Sequence, residues 1–174
     1  MPLAIDSQEF MSFFRRYSDH LTVDGSKLRF MTEVALSSDK ETESTTTMDG
    51  TVNTVTDGAN TAEFSSLAYR EDTGVIALWK ELKKMFDNNE LVEFWNVDTG
   101  SGVGGVDLEV TYHRGYFTSF SISYSAGSKV TLSYTYTIDG KGVEGTDTLT
   151  PEQLEAVNST QYDYTTIKAV GKGV

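Results

Sequence analysis

The residues able to do chemistry are few and scattered. His20 and His113 stand alone, with no partners at metal-ligand spacing, and read as structural or solvated groups. The chain has 0 cysteines, so it offers no thiolate, no disulfide framework and no cysteine zinc site. Its 26 Asp and Glu residues include no Asp-x-Asp-x-Asp-Gly calcium run. Gly100-Ser101-Gly102-Val103-Gly104-Gly105 has the glycines of a phosphate loop. It lacks the following Lys-Ser/Thr, and a strand pattern rather than a helix comes next. No serine sits in a nucleophile-elbow context. The pattern therefore predicts no catalytic residue, no cofactor site and no metal site.

The spacing that does carry information is periodic. In Tyr116 to Ile138, Ser119, Ser121, Ser123 and Ser125 alternate with Phe120, Ile122 and Tyr124. After Ala126-Gly127-Ser128 the alternation resumes, with Thr131, Ser133, Thr135 and Thr137 against Val130, Leu132, Tyr134, Tyr136 and Ile138. A period of two is the strand period, and two such runs around a glycine predict an antiparallel hairpin. One face is large and apolar and belongs to a core. The other is small hydroxyls, with Lys129 at the break as its one charge. Two readings of that face stand side by side: an ordinary solvated sheet face, or a wall along which something slides.

The 174 residues fit one domain, 1–174, with room for a sizeable core. The net charge of -12 argues against a binder of nucleic acid or anionic membrane, which needs concentrated positive charge. It leaves room for a protein that nucleic acid must pass without sticking. The opening MPLAIDSQEF lacks the basic flank and apolar run of a signal peptide, which predicts a chain made and kept in a cytoplasm. No stretch approaches the roughly 20 apolar residues that span a bilayer.

The positioning elements follow from local pattern. Residues 8–17 fit both a helix template and an aromatic strand. Leu28 to Ser37 reads as a strand with Leu28, Phe30, Val34 and Leu36 on one face. Residues 38–60 are rich in Thr, Ser and acids, with Asp49-Gly50 and Asp57-Gly58 as turn signals. That is too long for an ordinary connection, and its threonines predict an extended β-arm awaiting a partner. Ala62 to Tyr69 returns as a strand. A helix over 73–87 is predicted from the stripe Val75, Ile76, Leu78, Trp79, Leu82, Met85 and Phe86, with Asp72 or Thr73 as cap. Its core residues are Val75, Leu78, Trp79, Leu82, Met85 and Phe86, and it should lie as a lid over the sheet. Leu91 to Val97 is a strand, Thr99 to Gly105 a flexible loop, and Val106 to His113 a strand with Val106, Leu108, Val110 and Tyr112 inward. Thr150-Pro151-Glu152-Gln153 predicts a capped short helix over 151–157. Tyr162, Tyr164 and Ile167 lie in a C-terminal segment, 158–174, that reads as a last strand or arm.

The ordered set KLRFMTEV (27–34), MDGTV (48–52), LKKMFDNNE, VEFWNVD, YHRGYFTSFS and DGKGVEGTDTLTPEQLEAV resembles the major tail tube proteins of long non-contractile phage tails, of the lactococcal siphophage type. The resemblance covers most of the chain from Lys27 onward, and the first 26 residues match poorly. Family members begin with a strand, which favours a strand for residues 8–17. The resemblance implies a mainly-β fold: a β-sandwich or partly closed barrel with one flanking helix, similar to the type VI secretion tube protein. It implies a structural virion protein, not an enzyme, that stacks as hexameric rings around the tape-measure protein to form a tube for DNA. Implied partners are the chain itself, the tape-measure protein and tail-terminating or baseplate proteins, with transient DNA passage, no cofactor and no membrane. The implied location is the virion tail, after assembly in the host cytoplasm. In such a tube Thr45, Thr46, Thr47, Met48, Asp49, Gly50, Thr51 and Val52 belong to an inter-ring arm. Ser119, Ser121, Ser123, Thr131, Ser133 and Thr135 are the candidate lumen face. The competing expectation is a secreted or surface β-sandwich module that binds a ligand such as carbohydrate; exposed aromatics on one face and a secretion signal would favour it.

Overall fold

The computed structural model describes residues 2–71, 74 and 76–158. Eight strands occur in this order: β1 (Phe10–Arg16), β2 (Ser26–Lys27), β3 (Met31–Thr47), β4 (Gly50–Leu67), β5 (Val92–Asp98), β6 (Leu108–Ser123), β7 (Thr131–Ile138) and β8 (Val143–Asp147). Helix α1 (Leu78–Asp87) joins β4 to β5, and α2 (Pro151–Asn158) follows β8. All strands belong to one antiparallel sheet in the order β2-β1-β5-β6-β7-β4-β3, with β8 also paired to β6.

β6 organises this sheet. Its first half pairs with β5 and β8, and its second half with β7. Gly115 sits where the two halves meet. A Cβ there would run into the backbone carbonyl of Thr137, so only glycine lets β6 and β7 approach this closely. The sheet rolls past that point and brings its distant strands face to face. Phe14 on β1 and Phe64 on β4 are separated by three intervening strands, yet their rings meet edge-on at 5.2 Å. Phe94 stacks on Phe14 at 5.3 Å and Tyr136 meets Phe94 at 5.8 Å. The Tyr136 hydroxyl donates to Val92 O at 2.7 Å, so its polar end is satisfied inside the core. The ladder does not close, because β2 and β3 are not paired. The fold is mainly β, a single rolled sheet with a flanking helix.

Each face of the β1-β5-β6 half is covered. Phe14, Phe94 and Val92 face the main core, which α1 caps with Leu82 and Met85. Phe13, Val97, Leu108 and Val110 face a second cluster, closed by Leu149 and Val157. α2 begins with the predicted reciprocal cap: Thr150 N–H donates to Gln153 Oε1 at 3.0 Å and Gln153 N–H to Thr150 Oγ1 at 3.3 Å.

Several local expectations are corrected. Residues 8–17 resolve to a 3-10 turn and then β1, the strand reading. α1 starts at Leu78, not near residue 73. Gly74 has φ 79, Ala77 is extended, and Ile76 is exposed rather than part of the stripe. A left-handed glycine in a turn stops the helix from extending backwards. The proposed cap residues Asp72 and Thr73, and Val75, lie outside the described residues, as does the segment 159–174 with Tyr162, Tyr164 and Ile167. The strand expected from Leu28 is broken at Phe30, whose φ is 55. Phe30 turns outward against Tyr69 while its carbonyl accepts Leu67 N–H at 3.0 Å. Val106 is exposed because Asp107 adopts φ 52 and restarts the strand phase at Leu108. Ile122 and Tyr124, expected in the core, are 48% and 76% exposed, because the β6–β7 hairpin runs past the end of the core.

Candidate functional site: a hydroxyl face and a projecting hairpin

The face predicted from alternation forms a continuous surface across four strands. Ser121 pairs with Ser133, Ser133 with Ser65, and Ser65 with Glu33. The next row is Ser119, Thr135, Glu63 and Ala35, and Ser123 lies opposite Thr131. Directly opposed residues point to the same side of a ladder. Ser119, Ser121, Ser123, Thr131 and Ser133 are exposed, and Thr135 is half-buried. The charges in these rows are Glu33 and Glu63; neither row contains a lysine or arginine. A bulge sets the phase. Thr118 is the extra residue between the Phe117–Tyr136 and Ser119–Thr135 pairs. It lets Phe117 and Phe120 both turn to the core while Ser119 and Ser121 turn out. Its hydroxyl lies 3.2 Å from that of Thr137.

The predicted arm is a β-hairpin, not a loop. β3 and β4 stay paired out to Thr47 and Gly50, and Thr45, Thr46, Thr47, Met48, Asp49, Gly50, Thr51 and Val52 are all exposed at its end. Thr47 Oγ1 donates to Gly50 O at 2.7 Å and accepts from Asp49 N–H at 3.3 Å, which holds the two-residue turn. At the arm's base a second bulge places Asp39 opposite both Gly58 and Ala59. A Cβ on Gly58 would lie 2.9 Å from Asp39 O, so the bulge needs glycine. Here Asp57 binds Lys40 and also Lys141 of the β7–β8 turn, the latter at 2.8 Å. Hydrogen bonds from Lys141 and Lys40 hold its carboxyl below the usual carboxylate range. Asn60 Nδ2 donates to Gly140 O at 2.5 Å and ties the same turn to β4. Sequence reasoning found the arm but not this clasp, since Lys141 is distant from Asp57 and only the β4–β7 register joins them.

The helix residues of the stripe divide by depth. Leu82 and Met85 are buried, while Leu78, Trp79 and Phe86 are half-buried against the main core. The Trp79 indole N–H donates to Tyr69 O at 2.9 Å.

Two polar residues inside the sheet went unrecognised or undervalued. Glu93 is buried, accepting from Arg15 at 2.6 Å and from the Tyr112 hydroxyl at 2.6 Å. Burial and the Glu93 carboxylate push the Tyr112 phenol up. A glutamate inside LVEFWNV and the Arg15-Arg16 pair in an aromatic strand were the available signals. His113 is buried against Phe94 at 5.2 Å and beneath Gly142, and neither ring nitrogen has a partner among the described residues. Burial lowers its pKa and keeps the ring neutral. Among the described residues no group of three metal-binding side chains occurs.

The described residues thus present a hydroxyl face without lysine or arginine in its two central rows, and an exposed hairpin. A family model described as "Phage tail tube protein" matches residues 8–144. A putative tail protein of Staphylococcus phage phiMR25 is 24% identical over 162 residues, covering 91% of this chain and 81% of that protein. The SPP1 tail tube protein, solved by solid-state NMR and cryo-EM, superposes with a TM-score of 0.73 at 20% identity, over 93% of this chain and 91% of its own. The tail of an empty gene transfer agent particle, refined with C6 symmetry, gives 0.60 at 12% identity, over 80% and 98%. With the family model spanning most of the chain and the rolled sheet shared with tube proteins, the chain belongs to the phage tail tube protein family and is a structural component of the virion tail.

Proposed function

We propose that copies of this chain close into hexameric rings, and that the rings stack head to tail into a tube whose bore is the Ser/Thr face of β6, β7, β4 and β3. The observation that carries this reading is the pair of rows containing Glu33 and Glu63, with hydroxyls and carboxylates but no lysine or arginine. DNA moving through such a bore meets weak hydrogen-bonding groups and like charge, so phosphates find no place to settle. The unpaired β2 and β3 edges supply the ring contact, and the sixfold symmetry of the structurally similar gene transfer agent tail supports the count. The arm carries the contact between rings. The tape-measure protein fills the bore before DNA, terminator and baseplate proteins close the two ends, and assembly takes place in the host cytoplasm.

Electron microscopy of the purified chain tests the assembly: stacked rings with sixfold end-on averages are expected, and a protein that stays monomeric at high concentration overturns it. Ser121→Lys with Ser133→Lys tests the bore separately. Virions carrying both should have normal tails but eject DNA slowly at low salt, with recovery as salt screens the new charges. Normal ejection at low salt removes the bore assignment and leaves the tube.

A further inference from the structure

The two exposed extremities of the sheet lie at opposite ends. β4 pairs with β7 from Asn60–Ile138 to Leu67–Thr131. The arm leaves at the Asn60 end, together with the Asp139–Gly142 turn. The β6–β7 turn, Ser125 to Lys129, lies at the Leu67 end, where Ala68 N–H bonds Val130 O at 2.9 Å. In a head-to-tail stack with the strands running along the tube axis, the arm end of one copy meets the β6–β7 end of another.

The chemistry of these two ends is complementary. Beyond the Asp57 clasp with Lys40 and Lys141, the arm bears Asp39, Glu41, Glu43 and Asp49. It also exposes Met48, Val52 and Val55, with nothing covering them. The far end bears the uncovered apolar pair Ile122 and Tyr124. Lys129 lies in the turn that follows that pair. On α1, Lys83 lies 5.7 Å from the Phe120 ring but is paired with Asp87 at 2.7 Å, and Lys80 lies over the Trp79 ring. Lys129 and Lys80 form no salt bridge among the described residues. In a chain of net charge -12, an unpaired Lys129 at the end opposite an acidic arm is a specific pairing signal. The arm also has the reach. Residues 50–59 of β4 extend past the last β7 pair, about 33 Å of strand, so the arm overlaps the neighbouring copy rather than merely touching it.

We propose that the β6–β7 end of the sheet, with Ile122, Tyr124 and Lys129, is the docking surface for the β3–β4 arm of a second copy in the next ring. This rests on the stacked-ring reading and names the receptor within it. The apolar residues of the arm cover Ile122 and Tyr124, and its acids meet Lys129. The contact is heterologous and non-closing, which yields a filament rather than a closed pair.

The absence of cysteine makes the test clean. Tyr124→Cys is combined in turn with Met48→Cys, Val52→Cys or Val55→Cys, which sample the arm from turn towards base. Tubes of each double variant are oxidised gently and run on non-reducing gels. A ladder of linked chains is expected from at least one pair, and loss of that ladder when the tubes are dissociated before oxidation. Tyr124→Cys with Val143→Cys, an exposed site at the arm end of the body, gives the background. Tubes that give no ladder above this background from any arm position overturn the proposal while the stacked-ring reading stands. Absence of tubes from the wild-type chain overturns both. A charge exchange covers variants that do not stack. Lys129→Glu should raise the concentration needed for tube growth more than about tenfold, and adding Asp49→Lys or Glu43→Lys should recover part of it. No change with Lys129→Glu, or no recovery with either arm lysine, overturns the pairing.

Discussion

The body of the sheet and its arm are the same β3–β4 ladder on either side of one bulge, and they are held by different forces. Inside Asp39 and Gly58, β4 contributes Ala62 and Phe64 to the main core and β7 pairs along its other edge. Outside, the hairpin buries nothing. It has the Thr47 turn, the Ser44–Asn53 hydrogen bond at 2.6 Å and the backbone ladder. A two-stranded hairpin alone is marginal in water, because pairing exchanges water hydrogen bonds for internal ones with little net gain. The body therefore carries the stability of the chain, and the arm is free for the inter-ring contact proposed above. Mutations should sort accordingly.

Phe94→Ala should be the most damaging change, because its ring touches Phe14, Phe64, His113 and Tyr136. A loss of about 3–5 kcal/mol in urea unfolding is expected. Trp79→Ala should cost less, about 2 kcal/mol, since the indole is only half-buried and loses one hydrogen bond to Tyr69. An unchanged midpoint would show that α1 is a passenger on the body rather than its lid.

His113 offers a milder perturbation. Burial disfavours its charged form in the folded chain, so the unfolded chain binds the proton first as pH falls. The stability present at neutral pH is complete above about pH 6.5 and declines below it, until the folded ring also titrates. Urea midpoints at pH 7 and pH 5.5 should differ, and His113→Leu should shrink the difference. The smallest effect on stability, within about 0.5 kcal/mol, should come from the largest excision: removal of Lys40 to Thr56. Circular dichroism should report a folded body, while electron microscopy finds no tubes. Normal tubes from that variant would end the distinction between body and arm.

What the sequence made legible follows the same division. Strict alternation in Ser119 to Ser125 and Val130 to Ile138 exposed the hairpin and its hydroxyl side, because a half-buried strand writes its two faces directly into residue order. The helix stripe and the Thr150–Gln153 cap were readable for the same reason. Backbone irregularities were not. Phe30, Asp107 and the Thr118 bulge each reset the strand phase through one residue, and no side-chain pattern announces a φ of 55 at a phenylalanine. The clasp of Asp57 with Lys40 and Lys141 was hidden because it depends on register between distant segments. The exposure of Ile122 and Tyr124 was missed because alternation says which side a residue faces, not whether anything lies there.

The two ends of the main strand order are very unequal margins. β2 offers two residues and β3 offers seventeen. A two-residue margin is a poor template, so pairing through β2 adds few backbone hydrogen bonds to a ring contact. Along the long margin Glu33, Asp39, Lys40, Glu41 and Glu43 interrupt every run that could stack on itself. Such gatekeeping suppresses cross-β fibres, the competing fate of a concentrated β-rich protein. In the proposed stack, concentrating the chain therefore favours the specific contacts of rings over the growth of fibres.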